Sequence, residues 1–257
     1  MSERTSVMRP RLPGRRTTGA LLVLVAMLGC SPEQPERAPS ASASVSESTP
    51  PTVGIGDAVP LSQAPADSPL NPGRYIASVV DSPSAALLPV LSVPEGYHRM
   101  GGGDVGVAGV DTDDANGTSH YLWIWGEVGT VYTHPCEEGV GPDSVGPSVA
   151  DLANDLAAQP LLVGTDPVPV TVGGYDGLYL ELSAPADFDF AACPDEALWL
   201  WAGRALQHPG QVDMVWIIDV EGERIVFDAS HLANVRPDKV AELKDMVTTA
   251  TFSPAQA

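Results

Sequence analysis

Carboxylates are the side chains most able to do chemistry in this chain, which has 33 acidic residues among 257. Asp187 and Asp189, or Asp219 and Asp228 on a hairpin, form pairs of the kind a hydrolase uses to divide acid and base work. Such a division requires surroundings that push the two pKa values apart, and at this acid density chance pairs are expected. The five histidines, His98, His120, His134, His208 and His231, are scattered. None belongs to an H-E-x-x-H pattern, and no serine stands in G-x-S-x-G. No catalytic residues are assigned, and an enzyme is not the expectation.

Metal and nucleotide signals are equally thin. His134, Cys136, Glu137 and Glu138 are transition-metal ligands by type, but no second cluster stands at a metal-site spacing from them. Asp111–Gly117 looks like a calcium loop, yet its register places Ala115 at a ligand position and Leu122 where the bidentate Glu belongs. Asn116-Gly117 predicts a hairpin turn instead. Gly101–Gly106 matches G-x-G-x-x-G without the helix pattern that would make it a phosphate loop. No cofactor and no metal are expected. Tryptophan offers different chemistry: Trp123 with Trp125, and Trp199 with Trp201, alternate so that each pair shares a strand face. Exposed, such rings stack on sugars; alternating with Ile and Leu, they fill a core. Both readings stay open at this point.

The thiols divide into one and two. Arg4, Arg9, Arg11, Arg15 and Arg16 precede the apolar run Ala20–Leu28, the order of a secretory signal. That run is about half of the roughly 20 residues a membrane-spanning helix needs. It ends in Leu28-Gly29-Cys30, which resembles the lipobox of bacterial lipoproteins. The resemblance implies that the Cys30 thiol carries diacylglycerol, with palmitate-type chains, and becomes the mature N-terminus on the outer face of the cell membrane. The alternative is an ordinary cleaved signal with Cys30 a bystander. Cys136 and Cys193 are then left as a pair in an oxidising compartment and are expected to form a disulfide. Closing that loop contributes about 4 kcal/mol in the chain-entropy view.

Beyond Cys30 the chain keeps 32 acidic and 8 basic side chains, a formal charge of −24, because Glu3 and five arginines precede it. Nucleic acid, which needs a basic face, is excluded as a partner. An anionic bilayer repels such a chain, so the membrane contact is the lipid anchor. A cell-wall or protein partner is the remaining expectation.

The predicted organisation has three parts: a signal peptide with lipobox over 1–29, a disordered Ser/Pro/Ala-rich tether over 30–69, and an extracytoplasmic domain over 70–257. Within the last, Leu88–Val93 reads as a strand and Ser119–Trp125 as another, which Gly129–His134 continues around a glycine irregularity. Ser148 caps a helix that Pro160 stops. Val168–Val172 and Leu178–Leu182 form a hairpin with one dry side, Leu198–Trp201 is a short strand, and Val212–Val220 with Arg224–Ser230 flank a turn at Glu221-Gly222-Glu223. Pro237 opens a closing helix. The fold class is α+β: a single domain with a mainly antiparallel sheet packed by two or more helices.

Gly174–Leu182, Asp187–Cys193, Gly210–Gly222 and Phe227–Ser230 resemble a domain that recurs in predicted lipoproteins of high-GC Gram-positive bacteria. The likeness spans roughly residues 88–252 and implies location and fold, with no catalytic residue. The order of elements, from the strand before Pro94-Glu95-Gly96-Tyr97 to the helix running into Thr251-Phe252, is similar to the Mog1/PsbP-type sandwich. The Asp187–Trp201 segment departs from that order. The function expected is a membrane-anchored lipoprotein that binds a ligand or partner without catalysis; a glycan-binding module using the tryptophan pairs is the alternative, and a carboxylate hydrolase the last.

Overall fold

The computed structural model describes residues 57–82, 85–100, 106–110, 118–137 and 142–255. Cys30, the glycine run 101–105, the Asp111–Gly117 loop and Glu138 lie outside the described residues. In chain order come β1 (Val59–Pro60), β2 (Gly73–Ile76), β3 (Leu87–Val93), β4 (Tyr97–Arg99), β5 (Gly106–Val110), β6 (Thr118–Trp125), β7 (Thr130–Tyr132), β8 (Pro142–Ser144) and helix α1 (Val149–Ala157). There follow β9 (Val163–Gly164), β10 (Val168–Val172), β11 (Tyr175–Ser183), β12 (Leu198–Trp201), β13 (Arg204–Leu206), β14 (Val212–Val220), β15 (Glu223–His231), helix α2 (Pro237–Thr248) and β16 (Thr251–Pro254).

An antiparallel sheet in the order β10-β11-β14-β15-β6-β5-β4, with β9 beside β11, forms the middle of the molecule. A second sheet, β1-β2-β3-β16, and the pairs β12-β13 and β7-β8 lie outside it. Along β14, alternation sends Met214, Trp216 and Ile218 into one core, shared with Leu91, Phe227, Leu243 and Val247. It sends Val215 and Ile217 into a second core with Leu152, Leu156, Leu198 and Leu200. The expected single dry side is thereby corrected. Leu180 and Leu182 are buried against α1 and β12, while Tyr179 packs on the opposite core. A strand covered on both faces carries near-continuous apolar residues, as β14 does.

The helices form for the reasons read from sequence. The Ser148 side chain accepts from the Asp151 N–H and the Asp151 carboxylate accepts from the Ser148 N–H, a reciprocal capping box. Pro237 stands at the start of α2, which buries Leu243, Met246 and Val247.

Two further expectations fail. Gly129–His134 does not prolong β6: the Gly126 N–H donates to the Val80 carbonyl, the chain turns out of the sheet, and β7 pairs with β8. The folded part also begins before residue 70, since β1 pairs in parallel with Tyr75 and Ile76 and Leu61 is 0% exposed. Val59 and Leu61 are the only large apolar residues between 57 and 69, too few for a periodic signal.

Candidate functional site

The site forms on the second-core face of the central sheet. Antiparallel register sets Asp213 of β14 opposite Ser230 of β15, and Ser230 opposite Tyr121 of β6. In the next row on that face stand Val215, Asp228 and Trp123. Asp213 and Asp228 are therefore diagonal neighbours, although they lie 15 residues apart in the chain. β13 crosses above them and lowers Arg204 onto both. Its Nε donates to Asp228, its Nη2 pairs with Asp213, and its Nη1 donates to the Ala205 carbonyl. The guanidinium carbon lies 5.3 Å from the centre of the Tyr121 ring. Gln211 closes the arrangement: its Nε2 donates to Ser230 Oγ at 3.0 Å and its Oε1 accepts from the Gln207 N–H at 2.9 Å.

Asp213 and Asp228 are each 0% exposed. Burial, opposed by Arg204 and helped by the Asp228 charge, pushes the Asp213 carboxyl up to about 8. Burial raises Asp228 as well, against the pull of Arg204. Burial works against the Arg204 cation, but the two carboxylates outweigh it and keep the side chain charged. One guanidinium thus faces two acids that hold a proton between them at neutral pH. Burial also raises the Tyr121 phenol, so that it stays protonated.

Over this cluster opens a pocket of about 300 Å³ lined by Tyr121, Trp123, Trp125, Trp199, Arg204 and Gln207 among others. Trp123 and Trp125 stack on each other at 5.2 Å and 16°, which covers one face of the Trp123 ring. Trp199 comes from β12 and is half-buried, as is Trp123. Trp201 does not join them. A register shift between Trp199 and Trp201 turns it into the second core, 2% exposed and edge-on to Trp125 at 5.7 Å. Of the two sequence-level readings of tryptophan, Trp201 and most of Trp125 follow the core one, and Trp123 and Trp199 line the pocket.

The Cys136–Cys193 disulfide is present, with the two Cα atoms 4.9 Å apart. It fixes the segment that leads into β12, and the Trp199 N–H donates to the Pro135 carbonyl at 2.7 Å. Half of the pocket, Trp199 to Gln207, is carried by this stapled hairpin. Of the carboxylates weighed for a hydrolase, Asp219 and Asp228 stand in separate rows of the β14-β15 ladder. Asp187 and Asp189 are exposed, and Asp189 accepts from the Ala191 N–H. Asp219 is exposed at the hairpin turn, where it accepts from the Gly222 N–H at 2.8 Å. Asp228 pairs with Asp213 and Arg204 instead. The signal for this was in the sequence: Asp213 is in phase with Val215 and Ile217, a charge on an apolar face. Of the histidines, His120 and His231 stand opposite each other across β6 and β15, His120 packing edge-on to Tyr97 at 5.3 Å and His231 bonding the Leu232 carbonyl. Among the described residues no group of three His, Cys, Asp or Glu side chains is placed to hold a metal. No helix among them is long and apolar enough to cross a membrane.

No family model matches the chain, and no curated protein does. Among solved structures it is similar to LpqN, involved in cell envelope biogenesis of Mycobacterium tuberculosis, at 13% identity and a TM-score of 0.40 over 70% of this chain and 92% of that one. A protein of Bacteroides thetaiotaomicron matches at 13% identity and a TM-score of 0.33, over 71% of this chain and 48% of that one. Cyanobacterial PsbP (CyanoP) of Synechocystis matches at 16% identity and 0.31, over 70% and 98%. Likenesses this remote carry no argument about fold or role, and the pocket is read from its own geometry.

Proposed function

We propose that this chain is a lipid-anchored, extracytoplasmic binding protein without catalytic activity, whose ligand is a glycan of the cell wall held in the Trp123–Trp199 pocket. One observation carries the reading: two half-buried indoles from different sheets line one pocket of about 300 Å³ over the buried Arg204 cluster. A sugar presents a flat C–H face, and indole offers a large apolar surface with few rotamers to order. A cystine joining the two thiols beyond residue 30 supports an oxidising location. Cys30 supports the anchor. A hydrolase reading finds no footing in the carboxylates, because Arg204 covers the buried pair and the remaining candidates are exposed and separate.

The test is a binding measurement on the full chain with uncharged N-acetylglucosamine oligomers. Saturable binding that weakens by about 1–3 kcal/mol in Trp199→Ala is expected, the range for one aromatic anchor. Absence of binding to these oligomers and to purified cell wall alike would remove the glycan reading.

A further inference from the structure

We propose that the pocket selects by charge, admitting sugar rings that are uncharged or carry an amino group and rejecting rings that carry carboxylate or phosphate. The inference rests on the glycan reading and adds the ligand's charge class. An acidic sugar is ordinarily met by a guanidinium turned outward with donors to spare. Arg204, which lies in the pocket floor, is turned the other way. Its Nε and Nη1 donate to Asp228 and the Ala205 carbonyl, and its buried Nη2 is ion-paired with Asp213.

Two acids against one cation leave the floor with no net positive charge, whether or not they share a proton. The guanidinium face is also occupied, by the Tyr121 ring. The pocket lining includes the indoles of Trp123 and Trp199, whose π systems attract C–H and ammonium groups. Farther out, a chain with 33 acidic and 13 basic residues repels an approaching anion. Arg204 is in this view a positioning residue: it holds β13 on the sheet and makes no contact that an anion requires.

Three oligomers of equal length separate the possibilities when titrated into the full chain: N-acetylglucosamine, glucosamine and galacturonate tetramers. The first two are expected to bind, each losing affinity in Trp199→Ala, and galacturonate to bind at least about tenfold more weakly than the uncharged tetramer. Added salt is expected to narrow only the part of that gap due to long-range repulsion. Equal affinity for all three tetramers would overturn the charge selection while leaving the glycan reading intact. Binding of none would overturn both.

Discussion

Asp213 is the residue with most at stake in the site, because its ionisation sets a charge where water does not reach. The folded chain keeps its proton up to about pH 8, whereas an unfolded chain releases it near 3.8. Between these values the folded state binds more protons, so stability falls as pH rises, by at most about 1.4 kcal/mol per unit for one whole proton. Urea unfolding at pH 5 and pH 8 is expected to show this loss in the wild type and a smaller one in Asp213→Asn. Arg204→Ala strands two buried acids and is expected to cost about 3–5 kcal/mol at neutral pH, measurable in the same assay. Sequence could mark Asp213 and Asp228 as charges in phase with apolar residues. It could not supply their partner, because Arg204 sits on a short strand whose crossing over the sheet depends on a disulfide and a register shift.

At the scale of elements, the local signals were legible and the non-local ones were not. The β14-β15 hairpin, the β10-β11 hairpin, the Ser148 cap and the Pro237 start all rest on residues within one turn or one strand pair. The departure of β7 from the sheet depends on Gly126 meeting Val80, a partner far away in the chain. The β12-β13 hairpin is the element on which the site hangs, since it brings both Trp199 and Arg204. Replacing Cys136 and Cys193 together by Ser is expected to lower stability by about 2–5 kcal/mol. It is also expected to raise acrylamide quenching of tryptophan emission, as the hairpin loosens over the sheet. Ser148→Ala, far from the pocket, is expected to cost about 1 kcal/mol and leave quenching unchanged.

At the scale of the molecule, a sheet covered on both faces explains why the outer pieces matter to the middle. Leu61 and Leu70 are buried against the first core. A chain beginning at Asn71 lacks both, so it is expected to unfold about 3–6 kcal/mol more easily than one beginning at Asp57, at roughly 1.5–3 kcal/mol per buried side chain. Paired thermal melts check this. Composition pointed away from structure here, because a Pro- and Ala-rich stretch with two large apolar residues resembles a tether until its partners are known. At the far end, Cys30→Ala is expected to release the protein from the membrane fraction into the medium, followed by cell fractionation.

Five tryptophans make the site directly observable, since each indole N–H gives its own signal in a heteronuclear NMR spectrum. Titrating the full chain with the N-acetylglucosamine tetramer is predicted to shift the signals of Trp123 and Trp199, with Trp216 in the opposite core unmoved. Signals that stay in place through millimolar sugar, or a response at Trp216 without one at Trp199, would contradict a glycan site on this face of the sheet.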